Sequence, residues 1–488
     1  MPKPSLDPLF YPRSIAVIGA SRNPKKFGHI VLANLLKSWK SGKVFPVNPE
    51  ADQILGETCY PKVGEIPEPV DLAVIAIPAP AVPAAIADCV KKKVRAAVIL
   101  SAGFSEMGRK DLEEKMLKEA KGKLRIVGPN VLGILDSHTG LDTIFNPHHR
   151  QARPGPGKIA FVSQSGAFGA AVLDWATTQG IGISKFVSIG NRIDVDEVEL
   201  LDYLAKDPQT SAISLYLEGT RRGKDLFKSF QSASRRKPIV CLKAGRTAAG
   251  AHAVMSHTAS LAGEIEAWRA VFRQTGVLEA QTVEDLFDWP KALVDQPLPK
   301  ITSAKSASNS YNSEPKASNS KMTTDRMSGA IHAGDRILVV TNGGGFGVMT
   351  SDELLENGLK LAEISKKTVA AIKKSKVLPP HATIANPIDL TGDSTAEMYK
   401  VVLENALPDG GVDAAIIIAL FQVPHIEPKV VDVLRDSQRF KKPILVCATG
   451  GEFANINRKL LEQAGIPTYP TPTRAVRAMK AMVDYAKL

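Results

Sequence analysis

Residues 245–263 read Gly-Arg-Thr-Ala-Ala-Gly-Ala-His-Ala-Val-Met-Ser-His-Thr-Ala-Ser-Leu-Ala-Gly. Near the centre stands His257, with no carboxylate beside it in sequence. An imidazole is a nucleophile that can carry a group on one ring nitrogen while the other is held by a partner. Apart from Val254, Met255 and Leu261 the stretch offers few apolar anchors, so it packs weakly and can lie close to a ligand or move. Residues 256–263 read as a loop passing into a helix, which would put a phosphoryl group on that ring near backbone N–H groups. The same histidine suits a surface or hydrogen-bonded loop position equally well, and the stretch alone leaves both readings open.

The elements before it supply possible partners. Residues 157–166, Gly-Lys-Ile-Ala-Phe-Val-Ser-Gln-Ser-Gly, read as a buried strand ending in a turn, and residues 167–176 as the helix that follows. Ser163, Ser165 and Gly166 then sit at a helix start, a ready anion site favoured by the helix dipole by about 0.3–1 kcal/mol at exposed positions. Residues 182–191 form the next strand and turn, ending on Asn191. Residues 212–219 form another, ending on Glu218, and residues 238–243 lead into the His257 stretch. A carboxylate bonded to one ring nitrogen fixes the tautomer and frees the other. Glu218 could take that role, or could pair with Arg221 or Arg222.

An earlier region repeats the pattern. Short apolar runs at 14–21, 44–49, 71–78, 96–103 and 124–130 alternate with helical periodicity, as in a doubly wound α/β domain whose ligands bind at the carboxyl ends of the strands. Those ends carry Gly19, Ala20 and Ser21, then Asn48 and Pro49, Pro78, Ser101 and Asn130. The first turn, Gly-Ala-Ser-Arg-Asn-Pro-Lys-Lys-Phe-Gly, lacks the spaced glycines of a dinucleotide fingerprint, and Asn48 stands where a ribose-binding acid is expected. Arg22, Lys25 and Lys26 add positive charge, which favours a more heavily phosphorylated adenine nucleotide than NAD.

Residues 301–329 are rich in Ser, Asn and Lys and read as a linker. A third α/β region follows, with apolar runs at 336–341, 414–421 and 443–450. Its turn, Asn342-Gly-Gly-Gly-Phe-Gly347, could cradle phosphate but reads slightly better as a tight strand-to-helix turn. The organisation expected is thus residues 1–150, 151–297, a linker at 298–330, and 331–488. The fold class expected is α/β, with a Rossmann-like domain followed by two flavodoxin-like domains.

Bulk properties bound the function. The 488 residues are 44% hydrophobic and 23% charged, as in a globular protein of about three domains. The net charge of +12 suits a polyanionic partner. Aromatics are only 6% and no dense basic tract interleaves them, which points to phosphorylated small molecules rather than nucleic acid. No apolar run reaches the ~20 residues of a membrane span, and the N-terminus lacks a signal-peptide core. Cys59, Cys89, Cys241 and Cys447 have neither metal nor disulfide spacing. A cytoplasmic protein that binds no metal, nucleic acid or membrane is expected.

The motifs in order resemble a family. The Gly-Ala-Ser turn, Ser163-Gln-Ser-Gly166, Glu218-Gly219, Ser256-His257-Thr258 with residues 260–263, and Asn342-Gly-Gly-Gly-Phe-Gly347 resemble the alpha subunits of the archaeal ADP-forming acetyl-CoA synthetases. Succinyl-CoA synthetase is a more distant relative. The resemblance covers nearly the whole chain outside the linker. It implies coenzyme A binding through Gly19, Ala20, Ser21, Lys26, Asn48, Pro49, Pro78, Ser101 and Asn130. It implies inorganic or acyl phosphate held by Ser163, Ser165 and Gly166, and a His257 that is phosphorylated with Glu218 as its stabiliser. Acyl-CoA and phosphate would give acyl phosphate and CoA; the phosphoryl group would then pass to the histidine and on to ADP. No Gly-x-x-x-x-Gly-Lys-[Ser/Thr] loop or ATP-grasp domain is found. The resemblance therefore implies Mg-ADP/ATP on a beta subunit, in an alpha2beta2 heterotetramer, and a His257 segment that swings between two sites. A CoA-binding regulatory protein without chemistry is the alternative.

Overall fold

The computed structural model describes residues 4–258, 263–301 and 333–488, excepting the side chains of 254–258. The chain forms two compact units, Met1–Pro290 and Lys291–Leu488. Unit 1 holds two large sheets and a two-stranded antiparallel ribbon at residues 53–58. The first runs β1 (Ser14–Ile18), β2 (Lys43–Val47), β3 (Leu72–Ile75), β4 (Ala96–Ile99) and β5 (Arg125–Val127). All are parallel, in spatial order β2-β1-β3-β4-β5. β1 and β3 to β5 are buried at every position, which is why they read as continuous apolar runs rather than alternating ones. α1 (Phe27–Ser38) follows β1.

The second sheet adds β6 (Ile134–Asp136), β7 (Leu141–Asp142), β8 (Pro156–Ser163), β9 (Ile183–Ser188), β10 (Ala212–Leu217), β11 (Ile239–Lys243) and β12 (Leu278–Glu279). Its order is β12-β11-β10-β8-β9-β6-β7. β6 and β7 pair antiparallel at one edge, so this sheet starts ahead of residue 150. The parallel part, β8 to β12, has flavodoxin-like order and reverses direction of winding between β8 and β10. α2 (Gly166–Thr178) follows β8. Apolar residues of both sheets share one core, with Val17, Val127, Val162 and Leu215 fully buried within it.

The segment after β11 differs from its sequence reading. Residues 256–258, read as loop, end a helix, α3 (Ala248–Thr258), and the next helix follows at Ile265–Thr275. Thr247 caps its start, accepting the Gly250 N–H at 3.1 Å on its hydroxyl. Alanines at 248, 249, 251 and 253 carry the helix forward, since alanine has the highest helix propensity. His257 thus lies in the last turn of one helix and ahead of the start of another.

Unit 2 carries β13 (Arg336–Thr341), β14 (Lys360–Leu361), β15 (Ile388–Asp389), β16 (Ala414–Ile418), β17 (Ile444–Cys447) and β18 (Thr468–Tyr469). The order is β14-β13-β16-β17-β18 with β15 also on β13, all parallel. α4 (Gly344–Glu356) follows β13. The Asn/Pro-rich turn at 386–392 holds β15. Most of the stretch read as a linker lies outside the described residues. The four cysteines are free and buried, and burial pushes the Cys89 and Cys447 thiols up to about 12. Among the described residues no helix is long and apolar enough to cross a membrane, and no group of His, Cys, Asp or Glu is placed to hold a metal ion.

Candidate active site

The turn after β1 is shaped by backbone approach. Gly19 has φ +88°, and a Cβ there would stand 2.5 Å from the Ala76 carbonyl oxygen; one on Gly28 would stand 1.9 Å from Gly19 O. Only glycine lets the start of α1 lie this close to the turn. Lys26 is the residue before α1, exposed, and does not cap it with its side chain. Asn48 Nδ2 donates to Ala20 O at 2.7 Å, tying the end of β2 to the turn. Ser21 Oγ accepts the Asn23 N–H at 3.1 Å. Ser101 Oγ donates to Ile77 O beside Pro78, and Asn130 N–H donates to Ser101 O at 2.9 Å. The five strand ends therefore form one hydrogen-bonded rim with Pro49 exposed at its edge.

The second rim is built at the winding reversal. Ser163 is fully buried: its Oγ donates to Ser165 O at 2.7 Å and accepts Ser165 N–H at 3.2 Å. Its hydroxyl shapes the turn. Ser165 caps α2, its Oγ accepting Phe168 N–H at 3.3 Å. The first-turn N–H groups of α2 have no partner within the helix. Gln164 spans to β10: its Oε1 accepts the N–H groups of Glu218 (2.6 Å) and Gly219 (3.1 Å), and its Nε2 donates to Gly219 O at 2.8 Å. Lys243 holds the same loop from the other side, donating to Glu218 O at 2.9 Å and to Ala244 O, with its ammonium 5.3 Å from the Trp268 ring centroid. Burial lowers its pKa, against the opposing charge of Glu218. Glu218 itself is only 4% exposed. Arg222 is engaged elsewhere, with Asp196 and Asp225 each at 3.0 Å.

A cavity of about 830 Å³ joins the two rims, within the 300–1,000 Å³ usual for ligand pockets. Asn130, Ser165, Gly166 and Glu218 line it; Ser163 does not, nor do Gly19, Ala20, Ser21, Lys26, Asn48, Pro49, Pro78 and Ser101, which lie on the first rim beyond it. Asn191, which sequence reading placed only at a strand end, connects the halves. Its Nδ2 donates to Glu106 Oε2 (2.6 Å) and Glu113 Oε1 (2.8 Å), and Asn130 Nδ2 donates to its Oδ1 at 3.4 Å. Burial raises the pKa of Glu106, but Asn191 and the N–H groups of Gly103 and Phe104 outweigh it and hold the carboxyl below its ordinary value. Tyr216, under the Glu218 loop, is pushed up to about 12 by burial and by Glu218. Asn191 and Lys243 were missed as scaffolding because a lone amide or lysine at a strand end carries no motif, and Gln164 because its motif draws attention to the serines and glycine around it. The His257 side chain lies outside the described residues.

Comparison with known proteins covers all three large sheets. Residues 13–136 match a CoA binding domain, residues 156–293 a succinyl-CoA ligase like flavodoxin domain, and residues 337–487 a ligase-CoA domain. The chain is 37% identical to the acetate–CoA ligase (ADP-forming) II subunit alpha of Pyrococcus furiosus, over 99% of this chain and 98% of that one. It is 38% identical to acetate–CoA ligase (ADP-forming) I of Archaeoglobus fulgidus, of which it spans 64%. A solved structure of dinucleotide forming acetyl-coenzyme A synthetase 1 of Ca. Korarchaeum cryptofilum, in complex with phosphate and ADP, superposes with a TM-score of 0.85 at 38% identity, over 99% of this chain and 97% of that one. With two strand-end rims facing one cavity, and 37–38% identity to these proteins over 99% of its length, the chain belongs to the ADP-forming acetate–CoA ligase family.

Proposed function

We propose that this chain is the alpha subunit of an ADP-forming acyl-CoA synthetase, converting acyl-CoA, phosphate and ADP to acid, CoA and ATP. The observation that carries it is the single cavity shared by Asn130 on one rim and Ser165, Gly166 and Glu218 on the other. The glycine-lined turn at Gly19 and Gly28, closed to any Cβ, fits a diphosphate of coenzyme A, with Ser21, Lys26, Asn48, Pro49, Pro78 and Ser101 around it. The thioester then reaches into the cavity.

Phosphate sits at the start of α2, where unsatisfied N–H groups and the helix dipole favour an anion. One of its oxygens attacks the thioester carbonyl, the C–S bond breaks, and CoA leaves as thiolate. A ring nitrogen of His257 next attacks the phosphorus of the acyl phosphate and the carboxylate departs. Glu218, fixed by Gln164 and Lys243, accepts the other ring N–H and stabilises the phosphorylated ring. The phosphoryl group leaves for ADP on an ATP-grasp beta subunit in an alpha2beta2 assembly, in the cytoplasm, with Mg²⁺ bound there and not by this chain. Because giving and receiving sites are on different subunits, the segment carrying His257 moves between them.

The test is incubation with acetyl-CoA and phosphate, followed by mass analysis of the 251–263 peptide. An acid-labile, base-stable phosphoryl increment is expected, transferred to ADP when the partner is added. His257→Ala is expected to lose ATP synthesis while retaining CoA binding by calorimetry. ATP synthesis by that variant at the normal rate overturns the assignment.

A further inference from the structure

The cavity has a hydrocarbon side that the phosphoryl relay leaves unused. On α2, Gly169 faces its own sheet: a Cβ there would meet the Phe186 ring at 2.8 Å. At 100° per residue, positions 167 and 171 point the opposite way. Both are exposed alanines that line the cavity. The same cavity is lined by Leu132, 3.5 Å from where a Gly166 Cβ would be, and by the Phe27–Phe145 pair, stacked at 4.2 Å between centroids. The polar groups that could serve the amides of a pantetheine arm, Glu106, Asn130 and Asn191, belong to the CoA-domain rim and its link. Beyond Gly166, α2 contributes only the methyl groups of Ala167, Ala170 and Ala171 to the lining.

We propose that the acyl chain lies along α2, between Ala167 and Ala171 on one side and Leu132 with the Phe27–Phe145 pair on the other, so that residues 167 and 171 set the acyl size accepted. This rests on the function proposed above. The carbonyl carbon would sit at the Ser165–Gly166 end, where phosphate attacks. Ala167 then borders the first carbons, and Ala171, one turn or about 6 Å further, borders the distal part. A side chain longer than alanine at 171 would occupy the space of a ring or branch. Excluding one or two carbons is worth about 10–200-fold in kcat/KM.

The test is the complex with its nucleotide-binding partner, assayed for phosphate-dependent CoA release from acetyl-, butyryl- and phenylacetyl-CoA. Wild type is expected to turn over thioesters larger than acetyl. Ala171→Leu is expected to lower the phenylacetyl/acetyl ratio of kcat/KM at least tenfold, and Ala167→Leu to lower the butyryl/acetyl ratio as well. Phe145→Ala is expected to raise the phenylacetyl/acetyl ratio. Equal losses across the series with a raised KM for free CoA in the reverse reaction would assign this wall to pantetheine and overturn the proposal. Unchanged ratios in correctly melting Ala171→Leu and Ala167→Leu proteins, or a wild type confined to acetyl, would overturn it too. A wild-type complex inactive on every thioester would instead overturn the function on which this acyl site rests.

Discussion

The strand-to-helix turns of the second and third sheets use one design with different outcomes. After β8, the Ser163 hydroxyl closes on the backbone of Ser165 and the Gln164 amide spans to the end of β10. After β13, the Thr341 hydroxyl closes on the backbone of Gly343, donating at 2.9 Å and accepting at 3.0 Å. The Asn342 amide spans to the end of β16, accepting Leu420 N–H at 2.9 Å and donating to its carbonyl at 3.3 Å. Both turns sit at the winding reversal of a flavodoxin-like sheet. They differ in two places. The spanned loop carries Glu218 in one and Leu420 in the other, and the helix start has a serine cap in one and bare glycine in the other. The shared hydroxyl and amide are architecture; the acid and the cap distinguish the two sites.

The largest expected effect tests the acid. Glu218→Gln keeps the volume and the backbone bonds to Gln164 and Lys243 but removes the charge that would steady a phosphorylated imidazole. ATP synthesis is expected to fall on the order of 10²–10³-fold, about 3–4 kcal/mol of transition-state stabilisation, with CoA affinity unchanged by calorimetry. The matching change in the third sheet, Leu420→Gln, is expected to alter turnover less than fivefold. Similar losses from both would mean the third turn shares the chemistry.

The amides separate architecture from chemistry at the next level. Gln164→Ala leaves the Glu218 and Gly219 N–H groups without their acceptor, and Asn342→Ala does the same to Leu420. Each is expected to cost about 1–3 kcal/mol, the price of a buried unsatisfied group, read as a lower urea midpoint. Only Gln164→Ala should also lower kcat, by about tenfold, because only its loop holds the acid proposed to steady the phosphorylated ring. A kcat loss of the same size in Asn342→Ala would erase the distinction.

These amides also mark what the sequence could and could not tell. Apolar runs at 14–18, 159–163 and 336–341 named their strands because both faces of a parallel sheet are buried. The glycine turns were legible because only glycine permits such backbone approach. Gln164, Asn191 and Asn342 were not, because their importance lies in partners 54, 61 or 78 residues away in the chain. Ser163 shows the converse. Its motif suggested a ligand-facing hydroxyl, yet Thr341 in the equivalent place shows that a hydroxyl there serves the turn. The end of α3 was misread because a run of small residues looks like a loop, although its alanines and a threonine cap make it helical.

Acid titration gives a smaller, sign-specific contrast. Glu106 is held below its ordinary pKa by Asn191 and two backbone N–H groups despite burial. In unit 2, Asp409 is held below its own despite burial, by Thr368, the Gly411 N–H and Ser365. A carboxyl depressed on folding stabilises the protein above its unfolded pKa, and that contribution is lost as pH falls through the folded pKa. Wild type should therefore lose stability below about pH 4.5. Glu106→Gln and Asp409→Asn should each flatten that decline in urea titrations from pH 6 to pH 3. Only Glu106→Gln should also change catalysis at neutral pH, since its partner Asn191 reaches Asn130 across the cavity. A decline of unchanged steepness in both variants would mean other carboxyls dominate.

The helix cap gives the smallest effect and the sharpest comparison. Ser165→Gly converts the second turn to the pattern found at Gly343. An N-cap serine replaced by glycine costs only a few tenths of a kcal/mol, whereas alanine costs about 1 kcal/mol. Stability alone thus predicts Ser165→Ala to be the worse variant. If the Ser165 hydroxyl served only as a cap, KM for phosphate would follow stability, with alanine raising it more than glycine. If the hydroxyl also turns from Phe168 N–H toward bound phosphate, both variants lose the same contact and both KM values should rise together by about three- to tenfold, the worth of one hydrogen bond. The structure favours the second outcome, because Ser165 lines the cavity while Ser163, with its hydroxyl committed to the backbone, does not. A KM ordering that tracks the two melting temperatures would reduce Ser165 to the role that Gly343 shows the fold can do without.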